Sequence, residues 1–255
     1  MGTNRPTGSL YTKIENRTAT IEFGHPASNS FVSELLDRLT DELKNISSNE
    51  AVSIVVLKSE GDRAFCAGAS FDELLEISTP VEGTTFFSGF ANVINAMREC
   101  VHPIIGRAQG KAVGGGVGLI AACDYVFASE AASIRLSELS IGIAPLVIEP
   151  AVQRKIGMAG FAELALSPTE WKNAYWAQEK GLYSKVFSSI KEMDKELDFF
   201  MSTLASYNPE ALRAIKKVLW EDTASWSELL TKRAEISGKL ALSPSSKEKL
   251  NSLKK

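Results

Sequence analysis

Lys111-Ala112-Val113-Gly114-Gly115-Gly116-Val117-Gly118-Leu119-Ile120-Ala121-Ala122-Cys123-Asp124 decides how the rest of this chain is read. Three consecutive glycines let the backbone approach a ligand with no Cβ in the way. The Leu119-Ile120-Ala121-Ala122 run behind them reads as the start of a buried helix. A loop feeding a helix N-terminus aims unpaired N–H groups outward at the positive end of the helix dipole. Such a device holds an anion, or a carbonyl oxygen that is gaining negative charge. Two phosphate-binding alternatives fail on spacing. A dinucleotide fingerprint counted from Gly114 and Gly116 meets Leu119 where its third glycine belongs. A P-loop built on Gly110-Lys111 meets Ile105 and Ala112 where it needs glycine and Ser or Thr.

Working outward, the chain before the glycines alternates strands with helices. Ser9 to Ile14 and Thr18 to Phe23 read as a hairpin. Asn29 or Ser30 is expected to cap a helix running to about Asn45, and Val52 to Leu57 is a buried strand by its β-branched content. Asp72 and Glu73 are expected to face solvent on a short helix that follows Ala69. Thr79 to Gly83 reads as a mobile loop before a helix from about Thr84 to Arg98, whose Phe86, Phe87 and Phe90 are core or pocket lining. Pro103 to Ala108 is the strand that delivers the chain to the triple glycine. Tyr125 to Ala128 and Ser133 to Arg135 are further short strands, which makes the core a mainly parallel α/β structure. From Glu149 the signals turn helical, at roughly 149–156, 158–166, 170–180, 191–206, 208–220 and 223–241, and the division is placed at 1–190 for the α/β core and 191–255 for a helical C-terminal region.

At 255 residues, 44% hydrophobic, 23% charged and net charge −3, the chain carries no electrostatic footprint for nucleic acid. No apolar stretch approaches a membrane span, and Met1 to Gly8 is polar, a frayed lead-in. Cys66, Cys100 and Cys123 form no Cys-x-x-Cys pair and are expected to be reduced, buried thiols of a cytoplasmic protein. The two histidines, His25 and His102, are too few and too far apart for a metal site or a Ser-His-Asp triad, so no metal is expected.

The chain resembles the crotonase, or enoyl-CoA hydratase/isomerase, family. Phe65-Cys66-Ala67-Gly68-Ala69, then Gly114-Gly115-Gly116 with Cys123-Asp124, then Ser137-Glu138-Leu139-Ser140-Ile141-Gly142, then Trp176-Ala177-Gln178-Glu179-Lys180-Gly181-Leu182 carry the likeness in that order. It covers about residues 9 to 240. The resemblance implies a spiral of ββα turns with a helical region that builds a homotrimer or a dimer of trimers. It implies an acyl-CoA thioester as substrate, coenzyme A belonging to that substrate and no separate cofactor. It also implies enolate stabilisation between two backbone N–H groups, which by position belong to Ala69 and Gly115. Two such preorganised donors supply about 2.7–4 kcal/mol each. By the same resemblance Gly68 and Gly114 border the thioester, the backbone of Cys66 and Ala67 holds the adenine edge, and Arg63 is a candidate for the CoA phosphates, an exposed arginine being the alternative.

Family hydratases carry a first glutamate two positions after the triple glycine, where this chain has Gly118. The second falls on Glu138, four residues before Gly142. Hydration needs a base for water and an acid for the α-carbon, whereas moving a double bond from C3 to C2 needs one group that takes a proton at C2 and returns it at C4. A single Glu138 therefore favours isomerisation. Hydration by Glu138 alone or with a partner, a non-catalytic CoA-binding protein and a dinucleotide oxidoreductase are the alternatives. Gly118 is expected to leave a roomier acyl pocket. Glu149, the nearest rival for the missing acid, precedes Pro150 as a capping residue would. Asp124 reads as structural, and Leu242 to Lys255 as a solvated polar tail in which Lys247 or Lys249 is the candidate for a phosphate.

Overall fold

The fold was obtained as a computed structural model, which describes residues 7–253; most of the Met1 to Gly8 lead-in and Lys254-Lys255 lie outside the described residues. Strands β1 (Ser9–Glu15) and β2 (Thr18–Gly24) pair antiparallel. Their two-residue turn holds Asn16 and Arg17 at φ 48° and 64°, the left-handed pair that matches the twist of a tight hairpin. β3 (Ile54–Ser59), β4 (Ile104–Ala108), β6 (Tyr125–Ser129) and β8 (Lys185–Phe187) extend the sheet in parallel, in the order β1-β2-β3-β4-β6-β8. β5 (Ala112–Val113) and β7 (Ile134–Arg135) form a separate parallel pair.

Strand alternation divides the core in two. Val55, Leu57 and Ile104 face α1 (Ser33–Ser47) and α3 (Pro80–Glu99), while Ile54, Val56, Ile105 and Phe127 face α7 (Ile190–Ala205) through Met193, Leu197 and Met201. Arg107 of β4 stays buried because its guanidinium meets both carboxylate oxygens of Asp194 on α7, at 2.6 and 2.9 Å.

Several local expectations are corrected. Thr79 to Gly83 is the N-cap and first turn of α3, not a mobile loop. The Thr79 hydroxyl accepts from the Glu82 N–H, the Glu82 carboxylate accepts in return from the Thr79 N–H, and Pro80 opens α3. Residues Thr79-Pro80-Val81-Glu82 spell that capping box outright. Neither Asn29 nor Ser30 caps α1, whose N-cap is Val32. Asn29, at φ 57°, instead ties its own turn to the carbonyls of Glu60 and Ala64. Cover for the α1 N-terminus comes from Glu73 on α2 (Phe71–Glu76), which accepts from the N–H and the hydroxyl of Ser33 rather than facing solvent; Asp72 is exposed as expected. α5 (Glu149–Leu166) breaks at Gly157, φ 70°, where two helices were expected to meet.

Residues 244–252 form α10 (Pro244–Ser252) and not a solvated tail. Ser243 caps it, Leu250 is buried, and the Ser246 hydroxyl donates to the carbonyl of Gly142 at 2.8 Å. Lys247 donates to the carbonyl of Ile77. α6 (Ala174–Glu179) and α8 (Pro209–Leu219) complete the helices before α9 (Trp226–Ala241). α9 crosses α3 where Gly83 and Gly238 touch, a Cβ on Gly83 falling 2.8 Å from the Gly238 Cα. Among the described residues no helix is long and apolar enough to cross a membrane.

Candidate active site

Three stretches far apart in sequence line one cavity of about 180 Å³: Ala67-Gly68-Ala69, Val113-Gly114-Gly115, and Ser137-Glu138. Each of the three glycines has a steric reason. Gly114 adopts φ 52°, and a Cβ on it would stand 2.8 Å from Glu138 Oε1. On Gly115 a Cβ would press into the Phe90 ring, and on Gly116 it would come 2.7 Å from the Cys66 carbonyl. The loop thus lies against the Cys66–Ala69 segment, through a bridge between Cys66 and Ala112, and against the Glu138 turn, with α4 (Gly115–Ala122) starting at the cavity.

Three of the N–H groups flanking Ala69 and Gly115 are spent. Gly68 donates to Cys66 Sγ, Ser70 to the Phe31 carbonyl and Gly114 to the Arg135 carbonyl. Among the described residues no acceptor meets the N–H of Ala69 or Gly115, both of which line the cavity. Gly68, at φ 92°, sits beside them; a Cβ there would lie 3.7 Å from the Gly115 nitrogen. Two unpaired donors, one of them at a helix N-terminus, form a receptacle for a developing oxyanion.

Glu138 opens a short 3-10 turn, Glu138–Ile141, closed by Gly142 at φ 82°. The residue as a whole is half-buried, yet its Oε2 is sealed from solvent and finds no hydrogen-bond partner among the described residues. Burial pushes the carboxyl up from its ordinary 4.5 to about 7, against the opposing pull of its own backbone N–H and of the Arg135 charge. The Arg135 guanidinium itself stacks on Trp171, 4.6 Å from the ring centroid, a ring that Lys111 also approaches. A carboxyl that exchanges its proton near neutrality, above a bare backbone notch, is equipped for general acid–base work.

The remaining expectations divide. Phe86, Phe87 and Phe90 line the cavity, as do Ala67, Gly68 and Gly114. Cys66 does not line it. Its N–H donates to Lys111 and its carbonyl accepts from Val113, while the Ala67 N–H donates to Ser28; these backbone groups hold the loop together and leave no free N–H for a ligand. Arg63 is exposed, and its carbonyl packs under Gly110. Gly118 is buried in α4 outside the lining, and it leaves no extra room. Ile148 occupies the space, 2.4 Å from where a Cβ would stand. Glu149 turns away to Arg233 of α9, 3.3 Å distant. Asp124 is structural, held by Lys216 and Trp220. Sequence reasoning gave no place in the site to Phe71, Leu74, Leu146, Val147, Ile148 or Ser237, all of which line the cavity; Ile148 and Ser237 stand in no motif, and only the packing of the segment entering α5 and of α9 brings them in.

Gly114→Ala tests the glycine assignment. The added methyl costs about 1–2 kcal/mol at a left-handed position and displaces the carboxylate it meets. Turnover is expected to fall at least about 100-fold, with circular dichroism showing the fold retained.

Two unpaired N–H groups, a carboxyl with one sealed oxygen and an apolar cleft thus meet in one cavity, an arrangement that can hold a developing oxyanion and exchange a proton beside it. The family profile described as enoyl-CoA hydratase/isomerase matches residues 13–252. The peroxisomal Delta(3,5)-Delta(2,4)-dienoyl-CoA isomerase of Arabidopsis thaliana is 30% identical over 189 residues, covering 69% of this chain and 67% of that protein. The 2,3-dehydroadipyl-CoA hydratase of Escherichia coli is 29% identical over 212 residues, 82% of this chain and 81% of that one. In fold, the crystal structure of enoyl-CoA hydratase from Bacillus halodurans superposes with a TM-score of 0.87 at 20% identity, covering 95% of this chain and 99% of the other. The chain belongs to the enoyl-CoA hydratase/isomerase family, enzymes that act on acyl-CoA thioesters.

Proposed function

We propose that this enzyme moves a double bond, converting a 3-enoyl-CoA to a 2-enoyl-CoA with Glu138 as the sole proton carrier. The observation that carries the proposal is Ile148. The space beside Gly118, where a second carboxylate would stand, is filled by its apolar side chain, so a water held between two acids has no place. The thioester carbonyl would sit on the N–H groups of Ala69 and Gly115. Glu138 would take the proton from C2, the dienolate charge would rest on the oxygen in the notch, and the same carboxyl would return the proton at C4. No net proton or electron is exchanged, so one group suffices. The isomerase named among the relatives supports this reading; the hydratases named beside it keep hydration by Glu138 alone as the second one.

Ultraviolet detection of the conjugated thioester tests it. With 3-hexenoyl-CoA the conjugated band is expected to grow, while crotonyl-CoA keeps its band. Hydration of crotonyl-CoA at an ordinary enzymatic rate would sink the proposal. Because Glu138 acts as the carboxylate, kcat/KM is expected to rise with pH through about 7 and level off above. Gly118→Glu alone is expected to be destabilised by overpacking against Ile148, by about 1–3 kcal/mol. Combined with Ile148→Ala it is expected to gain hydration and lose isomerisation. We also propose self-association, supported by the exposed apolar stripe Ile215, Val218 and Leu219 on α8 and tested by light scattering.

A further inference from the structure

Of the buried side-chain atoms that lack a hydrogen-bond partner among the described residues, two belong to residues lining the cavity: Glu138 Oε2 and Ser237 Oγ. The first belongs to the proposed chemistry. The second has no part in it. Ser237 lies on α9, is 1% exposed and adjoins the Gly83–Gly238 contact that fixes α9 against α3. Phe87, Phe90 and Ile148 line the same cavity. A buried hydroxyl without a hydrogen-bond partner carries the penalty of its lost hydration, and alanine is the better helix former at such a place. Its cost is offset if something entering the cavity meets it.

We infer that Ser237 is a specificity subsite for an acyl chain whose tail carries an uncharged oxygen, a hydroxyl or a ketone. The inference rests on the acyl-CoA reading of the cavity and adds the class of acyl group. A serine hydroxyl both donates and accepts, so it matches either group. It does not match a carboxylate. The nearest cation on that face of α9, Arg233 one turn earlier, is committed to Glu149 at 3.3 Å, and a tail carboxylate would be buried against aromatic rings with one neutral dipole for company.

Calorimetric titration with saturated, unreactive esters tests this without requiring turnover. Hexanoyl-CoA, its 5- and 6-hydroxy forms and adipoyl-CoA are compared on the native enzyme and on Ser237→Ala. In the native enzyme one hydroxy form is expected to bind about 5- to 10-fold tighter than hexanoyl-CoA, and adipoyl-CoA weaker than both. Ser237→Ala is expected to erase the preference and leave hexanoyl-CoA affinity unchanged, which also shows that the variant is folded. Equal binding of all chains by the native enzyme, a preference that survives in Ser237→Ala, or tightest binding of adipoyl-CoA would overturn the inference. Double-bond migration is scored separately with 3-hexenoyl-CoA. Absent migration with an intact hydroxyl preference refutes the isomerase reading alone; migration without the preference refutes the subsite alone.

Discussion

Glu138→Gln is expected to lower isomerase turnover by a factor of about 10²–10⁴, the usual worth of a positioned acid–base group, and to make the protein more stable at the same time. The sign follows from the direction of the shift. Folding raises the Glu138 carboxyl from 4.5 to about 7, so the folded state holds a proton that the unfolded chain releases. Its favourable contribution is complete below pH 4.5, declines as pH rises toward 7, and is replaced by the full penalty of a buried charge above that. At about 1.4 kcal/mol per unit, the penalty is on the order of 3 kcal/mol. Glutamine keeps the shape and carries no charge. Urea unfolding should therefore place Glu138→Gln level with the native enzyme near pH 4.5 and clearly above it at pH 8. Equal stability at both pH values would mean that the carboxyl is solvated and not poised for proton transfer.

Asp124→Ala is expected to have the largest effect on stability. The Asp124 carboxylate accepts from Lys216 Nζ at 2.8 Å, from the Ile104 N–H at 2.7 Å and from Trp220 Nε1 at 2.6 Å, with both charged side chains almost fully enclosed. Lys155 donates to the Asp124 carbonyl, and Arg154 lies over the Trp220 ring. One carboxylate thus faces a cluster of cations. Removing it leaves Lys216 with the Met97 carbonyl alone, at a cost of about 3–5 kcal/mol. For a chain of this length that corresponds to a fall in Tm of about 10 °C. Asp124→Leu with Lys216→Met removes both charges, and is expected to recover most of the loss by the same reasoning. A double variant no more stable than Asp124→Ala would show that the Ile104 and Trp220 hydrogen bonds, not the ion pair, hold this corner.

The parts of the site that were legible in the sequence are those where local geometry admits few residue types. Gly114 and Gly142 need left-handed backbone and Gly157 breaks a helix, reasons that act within their own turns; Gly116 needs bare contact with the distant Cys66 carbonyl, but stands in the same run of glycines. Ile148 and Ser237 carried no such mark. Their roles arise from how α5 and α9 pack across the cleft, and one sequence does not encode that separately. Thr79 to Gly83 is a different case. Thr79 and Glu82 spell the capping box in the sequence, and proline is at home in a first helical turn. α10 was missed for the same kind of reason: Ser243-Pro244 announces a capped helix start, while the polar run behind it masks the buried Leu250.

The contact between Gly83 and Gly238 gives the enzyme a one-way path of divergence. α3 and α9 already touch main chain to main chain there, closer than helices separated by ordinary side chains, so no substitution brings them nearer. A single methyl at either position drives them apart. Descendants of this sequence can thus spread the two helices and admit bulkier acyl groups in one mutational step, whereas a tighter fit to small ones must come from filling the space with larger side chains. The lower bound on the spacing of this wall is set by the thickness of the backbone itself.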